Sequence, residues 1–102
     1  MAIDILCYTL VSSSEVQAKL KYLSESNREV FSRKFLISNA RDANPIEKEI
    51  ALEYGSSAKS VFLVSLNDKD AVYLISYVVD LLKTAFSEEN VIIVYLGNDA
   101  PL

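Results

Sequence analysis

Three runs, "IDILCYTLV" (Ile3 to Val11), "SVFLVSL" (Ser60 to Leu66) and "VIIVYL" (Val91 to Leu96), are nearly unbroken apolar segments rich in β-branched and aromatic residues. Such composition fits a pleated surface better than a helix. Continuity, rather than alternation of apolar and polar residues, predicts strands covered on both faces, as in α/β sheets. The segments between them carry helical signals. "SSSEVQAKLKYLSESN" opens with Ser12 and Glu15 at capping-box spacing, followed by an apolar stripe of Val16, Leu20 and Leu23. Asn67 or Asp68 is placed to cap a long helix, Lys69 to Phe86, whose polar stripe is narrow. A helix apolar over more than half its circumference packs deeply or contacts another chain. Val72, Val79 and Phe86 recur at seven-residue spacing there, so a homodimer through the Lys69–Phe86 helix is one expectation.

"EVFSRKFLISNA", Glu29 to Ala40, fits either helix or strand. Its charges favour a short edge strand around Lys34 to Ser38. The expected architecture is then one α/β domain over residues 1–102. It has about four mostly buried strands flanked by helices in the order βαβαβαβ. Half of the chain is apolar, enough for a core without disulfides, and Cys7 is the single cysteine. No apolar run approaches the roughly 18 residues of a membrane helix, and no secretory signal opens the chain, so a cytoplasmic protein without membrane association is expected.

The best-punctuated helix is "NPIEKEIALEYG". Asn44 fits the N-cap, Pro45 the first helical position, Glu47 the third position after the cap, and Gly55 the left-handed stop. Ile46, Ile50 and Tyr54 recur every fourth residue and are expected to face the core with Ala51, leaving Glu47, Lys48, Glu49 and Glu53 outside. Glu47 suits the positive first turn, but Glu49 and Glu53 repel one another across one helical turn. Glu53 also lies near the negative end of the helix dipole, where a cation would be favoured. A basic partner would explain both; neutralisation by Lys48 or Lys59 is the competing explanation.

Chemistry is hard to find. With no histidine in the chain, the usual triads, imidazole acid–base catalysis and common zinc sites are absent, and no cofactor or metal is expected. No glycine-rich phosphate loop follows any expected strand. Asp42, Asp68, Asp70 and Asp99 follow expected strands and would share one edge of a parallel sheet. A Mg²⁺-dependent or phosphate-handling enzyme, or a receiver-like domain, is therefore an alternative. Charge points elsewhere. Residues 1–41 hold six basic and four acidic side chains, whereas residues 42–102 hold four basic and ten acidic. An acidic majority opposes nucleic-acid binding and favours steering toward a basic partner.

With "NPIEKEIALEYG" and "KSVFLVSLNDKD" set in such a frame, the chain resembles the small acidic immunity proteins of bacterial contact-dependent growth-inhibition systems. That resemblance implies a non-catalytic inhibitor whose partner is a cognate toxin domain, often a nuclease with a basic cleft, blocked by an acidic surface. It transfers no residue roles. From the charges themselves, the expected partner-binding residues are Asp42, Glu49 and Glu53, with Tyr54 as an anchor, and then Asp68, Asp70, Glu88 and Glu89. The alternatives are the enzyme above and a self-associating structural subunit.

Overall fold

The computed structural model describes residues 4–95 and 100–101. The elements in chain order are β1 (Asp4–Thr9), α1 (Ser13–Ser26), a π turn (Val30–Lys34), β2 (Phe35–Ile37), β3 (Arg41–Asp42), α2 (Pro45–Glu53), β4 (Ser60–Leu66), a 3₁₀ turn (Lys69–Leu74), α3 (Ile75–Phe86), a second 3₁₀ turn (Glu88–Asn90), β5 (Val91–Tyr95) and β6 (Ala100–Pro101). The strands form one sheet in the order β2-β4-β1-β5-β6, with β3 also pairing β4. Every pairing is antiparallel.

The α/β class and the three long strands are as the apolar runs predict. The βαβαβαβ order and the count of four strands are not. Two extra strands are only two residues long, and β2 and β3 follow each other without a helix between them. They are two pieces of one broken edge. Phe35–Ile37 pairs with Leu66–Val64, and Arg41–Asp42 pairs with Val61–Ser60. Between them the Ser38 N–H donates to the Leu63 carbonyl at 2.8 Å, and the Leu63 N–H donates to Ser38 Oγ at 2.9 Å. The edge strand expected near Lys34 to Ser38 is thus present, as β2.

Continuity of the apolar runs reflects helices on both faces of the sheet, as expected, although the sheet is not parallel. On one face α1, α3 and the π turn cover Ile5, Cys7, Phe62, Val64 and Ile93. This is the main core, and Phe62 and Phe86 meet there with ring centroids 5.6 Å apart. On the other face lie Tyr8, Val61 and Val94, packed with Ala43, Ala51 and Ala58. Only α2 covers that side among the described residues, and Leu6 and Leu63 remain part-exposed.

The α3 seam resolves the question of its wide apolar arc. Val79 (8% exposed) and Phe86 (3%) belong to the main core, whereas Val72 is 50% exposed and sits in the 3₁₀ turn before the helix. The surface proposed for a homodimer is therefore mostly intramolecular packing. Lys19 reaches across from α1 to the end of α3. Its Nζ lies 5.9 Å from the Phe86 ring centroid and donates to the Ala85 carbonyl at 3.3 Å. A cation there suits the negative end of the helix.

Candidate functional site: the outer face of the acidic helix

Local signals place both ends of α2 correctly. Asn44 Oδ1 accepts from the Glu47 N–H at 2.8 Å, and Glu47 Oε1 accepts from the Asn44 N–H at 3.0 Å, which completes a capping box. Pro45 opens the helix, where its missing N–H costs nothing. Gly55 takes φ +83°, the left-handed conformation that a side chain would strain, and ends it.

Rotation about the helix axis is not as expected. Ile46 is 68% exposed and Tyr54 43% exposed, so neither is a core residue. The fully buried position is Ala51, with Ile50 partly buried beside it. Small residues explain the choice. Ala43, Ala51 and Ala58 let the helix approach Tyr8 and Val61 closely, and large side chains at the same contact would hold it off.

Glu47, expected outside, is turned inward. Its carboxylate accepts two parallel bonds from the Arg41 guanidinium, each 2.6 Å long, while only 12% of its side chain is exposed. Hydrogen bonding from Arg41 lowers the Glu47 pKa from the usual carboxylate range, and the Asn44 backbone adds to this against partial burial. The Tyr8 phenol beneath is pushed up, first by burial and then by Glu47 and Tyr54 nearby. Arg41 and Glu47 thus form a lock between edge strand β3 and α2.

The outer face presents Ile46, Glu49, Leu52 and Glu53, with Lys48 at its edge beside Leu52, all exposed. At 100° per residue the first four of these positions fall within about a third of the helix circumference. Glu49 lies midway between the two aliphatic side chains, and Glu53 lies one turn beyond Glu49, at the C-terminal end of the helix. Among the described residues Arg41–Glu47 is the one ion pair, so neither Lys48 nor Lys59 pairs with Glu53. The competing explanation for the charge conflict therefore loses its structural basis. Leu52, 63% exposed, was not singled out by sequence reasoning, and Ile46 was assigned to the core. The fourfold spacing pointed at the wrong stripe, and the clustering of alanines was the signal available.

The other candidate residues divide between opposite ends of the sheet. Asp42 is opposite Ser60, which is opposite Thr9, which in turn is opposite Val91. Glu88 and Glu89 lead into Val91 and so lie at that end, exposed. Asp42 is engaged by the fold, accepting from Ser13 Oγ at 2.8 Å. Asp68 and Asp70 follow Leu66 at the other end, and Asp68 caps its turn by accepting from the Asp70 N–H at 3.0 Å. The shared carboxyl edge that a metal-dependent enzyme would need does not form. Asp99 lies outside the described residues. Among those residues, no group of three or more His, Cys, Asp or Glu is placed to hold a metal ion.

Beside Asp68 and Asp70, Tyr73 (70% exposed) and Tyr77 (45%) form a second exposed apolar area with Val72, and the Tyr77 hydroxyl donates to Asn27 Oδ1 at 3.2 Å. An open recess of about 450 Å³ between α1 and α3, lined by Ala18, Lys19, Tyr22, Leu23, Leu81 and Ala85, presents little besides apolar surface. Neither place gathers a nucleophile with a base. No helix of the described residues is long and apolar enough to cross a membrane.

Comparison with known proteins places the chain in a family. A family model described as the CDI System Immunity Component matches residues 1–99. Immunity protein CdiI-2 of Burkholderia pseudomallei (strain 1026b) is 44% identical over 87 residues, which is 85% of this chain and 86% of that protein. A chain of the solved CdiA-CT/CdiI toxin and immunity complex from Burkholderia pseudomallei superimposes with a TM-score of 0.91 at 38% identity, covering 97% of this chain and 95% of that one. With a family model spanning nearly the whole chain and a relative this similar, the chain belongs to the immunity-component family of contact-dependent growth-inhibition systems.

Proposed function

We propose that this chain binds and neutralises a cognate basic toxin domain in the cytoplasm, and that it does so through the acidic outer face of α2. An immunity component is an inhibitor rather than an enzyme. The observation that carries the assignment to α2 is the pair Glu49 and Glu53, exposed and without an ion-pair partner among the described residues. Like charges one turn apart cost roughly 0.2–0.5 kcal/mol, and the dipole adds to this at Glu53. Folding alone favours a cation there, and a basic partner reverses the balance. A nuclease fits the partner's charge, because a cleft that binds phosphates must itself be positive. An acidic face then competes directly with the nucleic acid.

The test is the double variant Glu49→Lys/Glu53→Lys, co-expressed with the cognate toxin domain. The variant is expected to fold, with a melting temperature equal to or slightly above that of the parent. Its affinity should fall at least tenfold, which requires ~1.4 kcal/mol, and protection should fall with it. A folded variant that protects fully and associates at an unchanged rate excludes α2 as the contact surface. Asp68 with Asp70, or Glu88 with Glu89, would then be the acidic surface to reverse.

A further inference from the structure

We infer that Ile46 and Leu52 are the anchor residues of this inhibitor, and that the toxin receives them in an apolar recess rimmed by lysine or arginine side chains. The inference rests on the immunity reading above and assigns the contact chemistry within it. Ile46 and Leu52 are 68% and 63% exposed, while the core side of the same helix is formed by Ala51 with Ile50 partly buried beside it. The fold thus leaves two large aliphatic side chains of a short helix unpacked. Single exposed aliphatics are ordinary on a protein surface; two on one helix face, with one carboxylate between them and a second one turn further on, form a patterned patch.

The pattern dictates the occupant. Anything that covers both Ile46 and Leu52 also removes water from Glu49, which lies midway between them on the helix surface, and closes on Glu53, one turn beyond Glu49 at the C-terminal end. A carboxylate taken out of water without a counter-charge is strongly disfavoured, so the covering surface must bring cations to the middle of the contact. A second copy of this face fails that condition, because it would gather four carboxylates against two lysines, one Lys48 from each copy at the edge of the patch. An anionic lipid surface fails for the same reason. A basic protein surface with an apolar recess satisfies it. The two kinds of side chain then divide the work. Charges set the rate of encounter and its salt dependence, and the buried aliphatics set the lifetime of the complex.

Binding kinetics of Ile46→Ala and Leu52→Ala to the purified cognate toxin domain, measured across a salt series, test the inference. Each variant should dissociate about tenfold faster or more, as expected for losing most of a buried aliphatic side chain, with an association rate within about threefold of the parent. Leu52→Gln, which keeps length and helix propensity, should behave like Leu52→Ala, and all three should melt with the parent. Parent association should slow as salt rises. Unchanged dissociation of the variants from a toxin that the parent binds and neutralises overturns the anchor assignment while immunity stands. Salt-independent association overturns the basic rim. A parent chain that neither binds nor protects overturns the immunity reading itself, and the anchors with it.

Discussion

Substituting Glu47 by Gln isolates the charge in the lock between β3 and α2. Gln retains a carbonyl oxygen for the Asn44 N–H, so the capping geometry survives, while the bidentate pair to Arg41 is lost. Hydrogen bonds to charged groups contribute roughly 1.5–3 kcal/mol, whereas exposed ion pairs contribute about 0–1 kcal/mol. This pair lies between those limits, since 12% of the Glu47 side chain but 58% of the Arg41 side chain is exposed. Screening at Arg41 decides for the lower part of the range, about 1 kcal/mol. For a domain of this size that lowers the melting temperature by about 4–8 °C.

The same pair fixes the pH signature. The Glu47 pKa is lower in the folded protein, chiefly through its bond to Arg41. A depressed carboxylate pKa gives stability that is fully present above the unfolded value, about 4.3, and is lost as pH falls through the folded value. Parent and variant should therefore differ at pH 7 by a gap that is constant down to about pH 5 and closes progressively below about pH 4. Urea unfolding followed by far-ultraviolet circular dichroism over that range measures it, because an unchanged slope with a shifted midpoint reports stability alone. A gap that persists undiminished into acid would show that Gln disturbs packing rather than charge. No gap at pH 7 would refute the lock.

Val79→Glu should prevent folding rather than dissolve a dimer, because it places a carboxylate in the main core beside α1; sedimentation and circular dichroism on one sample distinguish the outcomes. Cys7 is fully buried and its thiol pKa is raised by that burial, so it should react with a thiol reagent only in denaturant. Rapid modification in native buffer would refute its place in the core.

What was legible in the sequence was local. The Asn44 cap, Pro45 and Gly55 mark α2 because each acts on backbone groups within a few residues of itself. The three long strands were legible because their apolar content exceeds what a surface segment carries. Pairing was not. An antiparallel sheet with helices on both faces yields the same continuous apolar runs as a parallel one, so the runs cannot distinguish them. The consequence reached the candidate site, since Asp42 and Asp68 share an edge only in a parallel sheet. Rotation of α2 was lost for a related reason. A periodicity of large apolar residues is read as a core stripe, but here the tight contact selects Ala51, and Arg41 from a neighbouring strand draws Glu47 inward. Both are tertiary effects.

The uneven thickness of the two layers bears on how such an inhibitor can work. Packing against α1 and α3 engages Phe35, Leu20, Leu82 and Val78, each at most 2% exposed. Removing a side chain of that size from such a site costs about 2–5 kcal/mol, a large share of a total that is about 5–15 kcal/mol for an ordinary domain. The contact of α2 is different in kind. Alanines set its distance from the sheet and one ion pair sets its orientation, while its outer residues contribute almost nothing to the core. Substitutions at Ile46, Glu49, Leu52 and Glu53 are therefore nearly free of folding cost, typically within about 0.5 kcal/mol. The two-helix layer holds the sheet, and the sheet holds α2 through Ala51, Ile50 and the Arg41–Glu47 pair, none of which belongs to the outer face proposed for the partner. The outer face can then change to match a different toxin without reworking the fold beneath it. This separation has a physical requirement, which is that recognition residues sit where the core does not need them. On the reading proposed above, Ile46 and Leu52 meet it, because Ala51 and the partly buried Ile50 supply the contact with the sheet.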